Sequence, residues 1–148
     1  MGLEINKSNE KTFAPELAKL AMAYAASNCP KVTVILGHAS GASFVLLGSK
    51  SLGADLVYAT EDSEIGALSA ASGVAFAWDK YISEENSRED LISEWKLTVS
   101  SPANAAASGE IDDIISINEM RARICSALLM LSAKGNASAI SRRKVLPL

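Results

Sequence analysis

The segment from Lys31 to Gly37 constrains the fold of this chain more than any other. It reads KVTVILG, a run rich in β-branched side chains with few polar residues. Such a run predicts a strand that is buried on both faces, as in a parallel sheet. Helical patterns flank it at residues 12–28 and 43–53. Because helices and strands continue to alternate along the chain, the sequence predicts an α/β fold with right-handed crossovers and parallel strands.

The first predicted helix carries an apolar stripe, and Thr12 is expected to cap it with Pro15 in its first turn. The stripe consists of Leu17, Leu20, Ala21, Tyr24 and Ala25. Further strands are predicted at residues 54–60, 63–68 and 110–117, and further helices at residues 70–82, 87–98, 100–109 and 118–135. Gly53 is predicted to close the second helix and Asn118 to cap the last one.

The composition narrows the class of protein. With 148 residues, 49% of them hydrophobic, the chain suits one domain with a sizeable core. The formal net charge of −3 argues against a nucleic-acid-binding protein, which normally has a basic face. No apolar stretch reaches the roughly 20 residues of a membrane helix, and no signal peptide is evident, so we expect a cytoplasmic protein.

The two cysteines, Cys29 and Cys125, are expected to be small buried hydrophobic residues in a reducing compartment. With a single histidine, the chain has too few ligands for a zinc or iron–sulfur centre, so no metal site is predicted.

Small residues fill the segment GHASGAS, at positions 37–43, immediately after the predicted strand. In open α/β sheets this is where a ligand usually binds, since backbone N–H groups can approach it and the next helix favours negative charge. The segment therefore fits an anion cradle or an oxyanion hole. Tight packing of a strand against a helix explains the same composition equally well.

His38 and Ser40 suggest the base and nucleophile of a small hydrolase, but three observations disfavour this reading. Neighbours along one chain seldom face each other, the nucleophile-elbow spacing is not met, and no acidic residue is evidently placed to orient the imidazole. We therefore expect His38 to be incidental to function.

Two further pairs of residues are assigned structural roles. Asp112 and Asp113 are adjacent on a predicted strand and so point to opposite faces, which makes capping or turn formation more plausible than paired acid–base chemistry. Trp78 and Trp95 lie in apolar helical contexts, which indicates core or interface positions.

Three stretches, taken in order, resemble a known family. Residues 31–68 are similar to the run K-I-T-V-I-L-R-K-A-Y-G-G-A-Y found in the carboxyltransferase component of biotin-dependent acyl-CoA carboxylases and decarboxylases. Residues 109–135 resemble that family's G-x-[IV]-D-D-[VI]-I segment and the helix after it. RRKVLPL, at 142–148, resembles its basic ending. The likeness is to the C-terminal half of that component.

The resemblance implies a crotonase-like fold, a spiral of ββα units, in a single domain over residues 11–135. We expect residues 1–10, which are polar, to form a flexible N-terminal segment, and residues 136–148 to form an extended C-terminal tail.

The resemblance also implies a function: transfer of a carboxyl group between carboxybiotin and an acyl-CoA, or decarboxylation of an acyl-CoA. In this family the C-terminal domain supplies mainly the biotin side, through backbone amides of its G-G-A turn. That turn corresponds to Gly41, Ala42 and Ser43, which makes the Ala42 and Ser43 N–H groups the expected oxyanion donors. The loop that lines the biotin site corresponds to Leu68, Ser69 and Ala70.

The implied partners are an N-terminal carboxyltransferase domain or subunit that binds the acyl-CoA, a biotin carboxyl carrier protein, and further copies of the chain. The chain is not expected to be active alone. The family's M-G-P-E-G-A loop is LSAASG here, at Leu68 to Gly73, and this difference supports an alternative. In that alternative the chain is a catalytically degenerate scaffold or assembly subunit.

Overall fold

The structure, a computed structural model, describes Leu3, residues 6–83 and residues 86–136. Its α-helices are α1 (Glu10–Ala26), α2 (Ala42–Leu46), α3 (Ala70–Gly73), α4 (Arg88–Thr98), α5 (Pro102–Ala107) and α6 (Met120–Met130). Its strands are β1 (Val32–Ile35), β2 (His38–Ser40), β3 (Leu56–Thr60), β4 (Glu64–Gly66) and β5 (Asp113–Ile115). A π-helical turn at Val74–Trp78 continues α3, and 3₁₀ turns occupy Lys50–Leu52, Asp79–Tyr81 and Leu131–Asn136.

Every strand pairing in the described chain is parallel, as predicted. One sheet has the order β1–β3–β5, and a smaller sheet pairs β2 with β4. Along the chain, β1, β2 and α2 form one ββα unit, and β3, β4 and α3 form the next. The predicted α/β class is confirmed.

Apolar side chains cover both faces of the three-stranded sheet. On one face, residues of β1, β3 and β4 pack against α5 in a core made of Ile35, Val57, Ala59, Ile65, Ala105 and Ile111. On the other face, Tyr58 and Ile115 pack against Ala127 of α6. The central strand β3 is buried from Val57 to Thr60, whereas Val32, Thr33 and Val34 of the edge strand β1 are half-buried, so the two-sided burial expected of a parallel sheet is complete only at its centre.

The first helix begins earlier than the sequence suggested. Asn6 starts a turn in which its carbonyl accepts the Glu10 N–H and its side-chain oxygen accepts the Asn9 N–H, so α1 begins at Glu10. Pro15 therefore lies inside the helix rather than in its first turn, and Thr12 is not its cap. The predicted apolar stripe is confirmed, with Ala21 and Ala25 buried.

Three other local predictions need correction. No strand is predicted between Gly37 and Ser43, but His38–Ser40 form the strand β2. The helix predicted over 43–53 ends at Leu46, and Gly53 instead closes the following 3₁₀ turn with φ of 81°. The cap position of α6 is Glu119 rather than Asn118, and no side chain caps that helix.

Both cysteines are exposed, so the expectation that they are buried is wrong. Cys29 follows the end of α1 in a loop, and Cys125 lies on the outward side of α6. Within the described residues, no helix has both the length and the apolar character that crossing a bilayer requires. The predicted boundaries at residues 11 and 135 stay predictions, and residues 137–148 of the predicted tail lie outside the described part of the chain.

Candidate functional site

The pairing of the two short strands brings an imidazole and a carboxylate together. In the parallel register of β2 and β4, His38 lies opposite Glu64, and Glu64 Oε2 is 3.1 Å from His38 Nδ1. The other oxygen of that carboxylate, Oε1, is 2.7 Å from Lys96 Nζ on α4. An acidic residue is thus placed beside the imidazole, contrary to the expectation from sequence.

The turn between β2 and α2 is held by a glycine. Gly41 has φ of 56° and ψ of −132°, a conformation that side-chain-bearing residues rarely adopt. Its N–H donates to the carbonyl of Gly66 over 3.0 Å, which ties the turn to the end of β4. A glycine at this position is therefore a requirement of the backbone itself.

Two consecutive amides follow this glycine. Among the described residues, neither the Ala42 N–H nor the Ser43 N–H donates a hydrogen bond, because both lie at the start of α2. The Ser43 hydroxyl accepts the Leu3 N–H over 2.9 Å. Ala42 is exposed and Ser43 is half-buried, so these donors are available to an acceptor from outside the described chain.

The predicted biotin-side loop forms the start of α3. Ser69 is the cap of that helix, with its Oγ accepting the Ser72 N–H and donating to the Ser72 Oγ. Ala70 is buried beneath it and Leu68 is exposed. The Ser69 side chain therefore has a structural task besides any contact with a ligand.

A small cavity of about 70 Å³ lies between strands β2 and β4 and the predicted biotin-side loop. His38, Ser40 and Glu64 line one side of it, and Leu68, Ser69 and Ala70 line another. Ser100 also lines the cavity; it is only 2% exposed, and its hydroxyl has no hydrogen-bond partner among the residues that the structure describes. Buried hydroxyls normally have a partner, so Ser100 Oγ marks a polar spot in this cavity.

A second cavity, of about 140 Å³, is lined mainly by residues of β1 and α2. Its lining includes Ser43, Phe44 and Leu47 of α2 or its end, together with His38. His38 thus borders both cavities, whereas Gly41 and Ala42 border neither.

The structure does not bring Ser40 and His38 into the nucleophile–base contact of a hydrolase. Ser40 lines the small cavity with His38, but no hydrogen bond joins its hydroxyl to the imidazole. A serine nucleophile is activated by a base within hydrogen-bond reach, and that contact is missing here.

The remaining singled-out residues have structural contacts. Asp112 Oδ2 accepts the Val57 N–H over 2.8 Å, and Asp113 Oδ1 accepts the Ile114 N–H over 2.9 Å. The rings of Trp78 and Trp95 meet edge to face with centroids 4.9 Å apart. These contacts agree with the structural roles predicted for both pairs.

Comparison with known proteins identifies the family. The family model for the carboxyl transferase domain matches residues 11–146. The chain belongs to this family. Two relatives illustrate the match of this carboxyl transferase chain. The putative propionyl-CoA carboxylase beta chain of Bacillus subtilis (strain 168) is 36% identical over 121 residues, 79% of this chain and 24% of the relative. The methylmalonyl-CoA carboxyltransferase 12S subunit of Propionibacterium freudenreichii subsp. shermanii is 35% identical over 121 residues, covering 79% and 23%.

Solved structures share the fold of this carboxyl transferase chain. A transcarboxylase 12S crystal structure, a hexamer with hydrolysed methylmalonyl-coenzyme A bound, matches with a TM-score of 0.82 at 28% identity, covering 99% of this chain and 29% of that one. The beta subunit of P. aeruginosa geranyl-CoA carboxylase matches in fold, with a TM-score of 0.67 at 18% identity and coverage of 91% and 30%. The predicted family and the crotonase-like fold are confirmed, and the chain spans about a quarter of the curated relatives' length.

Proposed function

We propose that this chain supplies the biotin-facing half of an acyl-CoA carboxyltransferase or decarboxylase. It would act with an N-terminal acyl-CoA-binding domain or subunit and with biotin carried on a separate carrier protein. The observation that carries the proposal is the pair of adjacent amides at Ala42 and Ser43, which have no acceptor in the described chain. Two such donors are the usual means of stabilising an oxyanion in acyl- and carboxyl-transfer chemistry.

The residues present suit a biotin ureido group in their hydrogen-bonding chemistry. That group has one carbonyl oxygen, which accepts hydrogen bonds, and ring nitrogens that donate them when they carry hydrogen. The Ala42 and Ser43 N–H groups match the oxygen, and the unpartnered Ser100 hydroxyl offers a further polar contact in the cavity lined by Leu68, Ser69 and Ala70. We assign the oxyanion role to the Gly41–Ser43 turn and the biotin-side lining to the Leu68–Ala70 loop.

Exposed apolar side chains support the association part of the proposal. Phe76 is 85% exposed, and large apolar residues are also exposed at Leu97, Ile117, Leu129 and Met130. Apolar surface of this extent suits contact with another chain, either a second copy or the acyl-CoA-binding partner. The curated relatives are about four times longer than this chain, so we assign the acyl-CoA side to that partner. We also propose the cytoplasmic location expected from the sequence.

Calorimetry of free biotin and of a biotinylated carrier protein tests the proposal. The variant Ala42→Pro removes one N–H, and proline is well tolerated at the first position of a helix. Ala42→Gly is the matched control because it keeps the N–H and only removes a methyl group. We expect saturable binding by the wild type and by Ala42→Gly, and an affinity lower by up to about 10-fold for Ala42→Pro, as the loss of one hydrogen bond predicts.

Two results would count against the proposal. Equal binding by all three proteins would show that this turn does not supply the oxyanion donors. If neither ligand binds to wild type or to Ala42→Gly, the degenerate scaffold becomes the better account, with the LSAASG loop as its basis.

A further inference from the structure

Resting on the carboxyl-transfer function above, we propose that His38 is the proton-transfer residue of this site and that Glu64 is its positioning residue. Neither role follows from the sequence, where His38 stood without an acidic neighbour. The inference comes from three observations: the presence of His38 in the lining of both cavities, the placement of the carboxylate, and the free second nitrogen.

His38 lines two cavities that border parts of the proposed site. One of them includes Ser43, one of the two proposed oxyanion donors. The other is lined by Leu68, Ser69 and Ala70. Its side chain is 69% exposed, so a substrate from solvent or from a partner chain can reach it.

The surroundings of the imidazole select one of its nitrogens. Glu64 Oε2 lies 3.1 Å from Nδ1, and a carboxylate there favours the tautomer with its proton on Nδ1. Among the described residues, Nε2 has no hydrogen-bond partner, so its lone pair is free to act as a base. Lys96 contacts the far oxygen of Glu64 and holds the carboxylate from α4. No ionisable side chain other than His38 and Glu64 lines either cavity within the described chain.

The chemistry balances without another reactant. Bound carboxybiotin would supply the carboxyl group, and its ureido nitrogen would keep the electron pair of the broken N–C bond. His38 Nε2 accepts the α-proton of the acyl-CoA while the C–H electron pair forms the new bond to the carboxyl carbon. His38 Nε2 then donates the same proton to the ureido nitrogen. The imidazole returns to its starting state, and in decarboxylation the same group delivers its proton to the α-carbon.

The single histidine of the chain makes a direct test possible without turnover. With ¹⁵N-labelled histidine, long-range ¹H–¹⁵N spectra report which nitrogen carries the proton of the neutral ring. We expect the Nδ1–H tautomer in the wild type and in Glu61→Ala, an exposed acid away from the imidazole. In Glu64→Ala we expect the Nε2–H tautomer, which free imidazole side chains prefer. A wild-type ring protonated on Nε2, or a Glu64→Ala spectrum identical to wild type, would overturn the positioning role.

Catalysis in the chain assembled with its acyl-CoA-binding partner and biotinylated carrier provides the second test. His38→Gln should lower the carboxyl-transfer rate by about 10²- to 10⁴-fold, the usual contribution of general acid–base catalysis. Added imidazole should restore part of that rate, which a merely structural role does not predict, and biotin affinity should stay unchanged. If the wild type is active and His38→Gln is fully active as well, only the His38 assignment is wrong. If the assembly with the wild-type chain neither binds biotin nor transfers carboxyl groups, the proposed function is wrong, and this inference fails with it.

Discussion

The indole of Trp95 on α4 occupies the space that a side chain on Gly73 would need. A β-carbon built on Gly73 would lie 2.4 Å from Trp95 Cζ2 and 2.5 Å from Cε2, far inside van der Waals contact. Gly73 ends α3, where its backbone is helical, so an alanine there suits the local conformation and fails on space alone. The contact fixes how α4 packs against α3, the helix that begins at the proposed biotin-side loop.

Gly73→Ala should therefore destabilise the protein, although glycine to alanine in a helix normally stabilises by up to about 1 kcal/mol. We expect a loss of about 1–3 kcal/mol in the free energy of unfolding, typical of overpacked cores, as measured by urea denaturation. Ala71→Ser, on the exposed side of the same helix, is the control and should stay within about 0.5 kcal/mol of wild type. A gain in stability for Gly73→Ala would show that Trp95 moves away at no cost.

Asp55 is a second structural anchor with a pH signature. Partial burial raises the pKa of its carboxyl group, but hydrogen bonds from Lys134 Nζ and the Lys31 N–H, with the charges of both lysines, outweigh this and lower the pKa below its usual range. A carboxyl group whose pKa is lower in the folded state stabilises the fold above its unfolded-state pKa. That contribution disappears as the pH falls through the folded-state pKa.

Denaturation curves between pH 6 and pH 3 should show this contribution as a difference between wild type and Asp55→Asn. At pH 6 the variant should be less stable by about 1–3 kcal/mol, because a charged group loses its hydrogen bonds. The difference should shrink as the pH falls below about 4, where the Asp55 carboxyl group of the unfolded chain begins to protonate, and should go on shrinking through the lower pKa of the folded state. Asp62→Asn, on an exposed turn, should follow the wild-type profile. A difference that stays constant over the whole range would remove ionisation of Asp55 as its cause.

The elements that the sequence predicted well are those whose secondary structure is determined by their own residues. The β-branched residues of β1 and β3 and the Ser101–Pro102 start of α5 carry local signals, and the structure has all three elements. Ser87 likewise caps α4 as the start of the helix pattern suggested, with Asp90 completing a capping box.

What the sequence missed depends on contacts between distant segments. β2 contains only His38, Ala39 and Ser40, which have no strand pattern of their own, and it becomes a strand by pairing with β4. The position of Glu64 beside His38 follows from that register, which joins residues 26 positions apart. The resemblance to the carboxyltransferase family indicated the Gly41–Ser43 turn but could not reveal the acid–histidine pair next to it.

At Gly48, as at Gly73, a neighbouring side chain leaves no space for a β-carbon. Its φ is +92°, and a β-carbon there would lie 2.7 Å from Thr33 Oγ1, which donates to the Gly48 carbonyl over 2.7 Å. Gly48→Ala should cost about 1–3 kcal/mol in the free energy of unfolding, from the left-handed backbone and the disturbed hydrogen bond. The double variant with Thr33→Ala should lose less stability than the two single variants lose together, because the double variant removes the clash. Strict additivity in urea denaturation would place the whole effect in the backbone.

Two buried serines offer a matched comparison of structure against function. Ser63 is 3% exposed, and its Oγ donates to the Ile35 carbonyl and accepts the Thr60 N–H. Ser100 is 2% exposed, and its Oγ has no hydrogen-bond partner within the described part of the chain. A buried hydroxyl without a hydrogen bond costs stability, whereas removing a satisfied one leaves its partners unpaired.

Ser63→Ala should therefore lower the free energy of unfolding by about 1–3 kcal/mol, and Ser100→Ala should leave it unchanged or raise it by about 1 kcal/mol. If Ser100 Oγ contacts the ureido group, Ser100→Ala should also weaken biotin binding in calorimetry while the fold becomes no less stable. Weaker binding with unchanged or higher stability is the signature of a hydroxyl kept for a ligand, because loss of a purely structural hydroxyl would lower the stability of the fold. Unchanged binding would confine Ser100 to the packing beside Gly66, where its Oγ lies 3.5 Å from the position of a β-carbon.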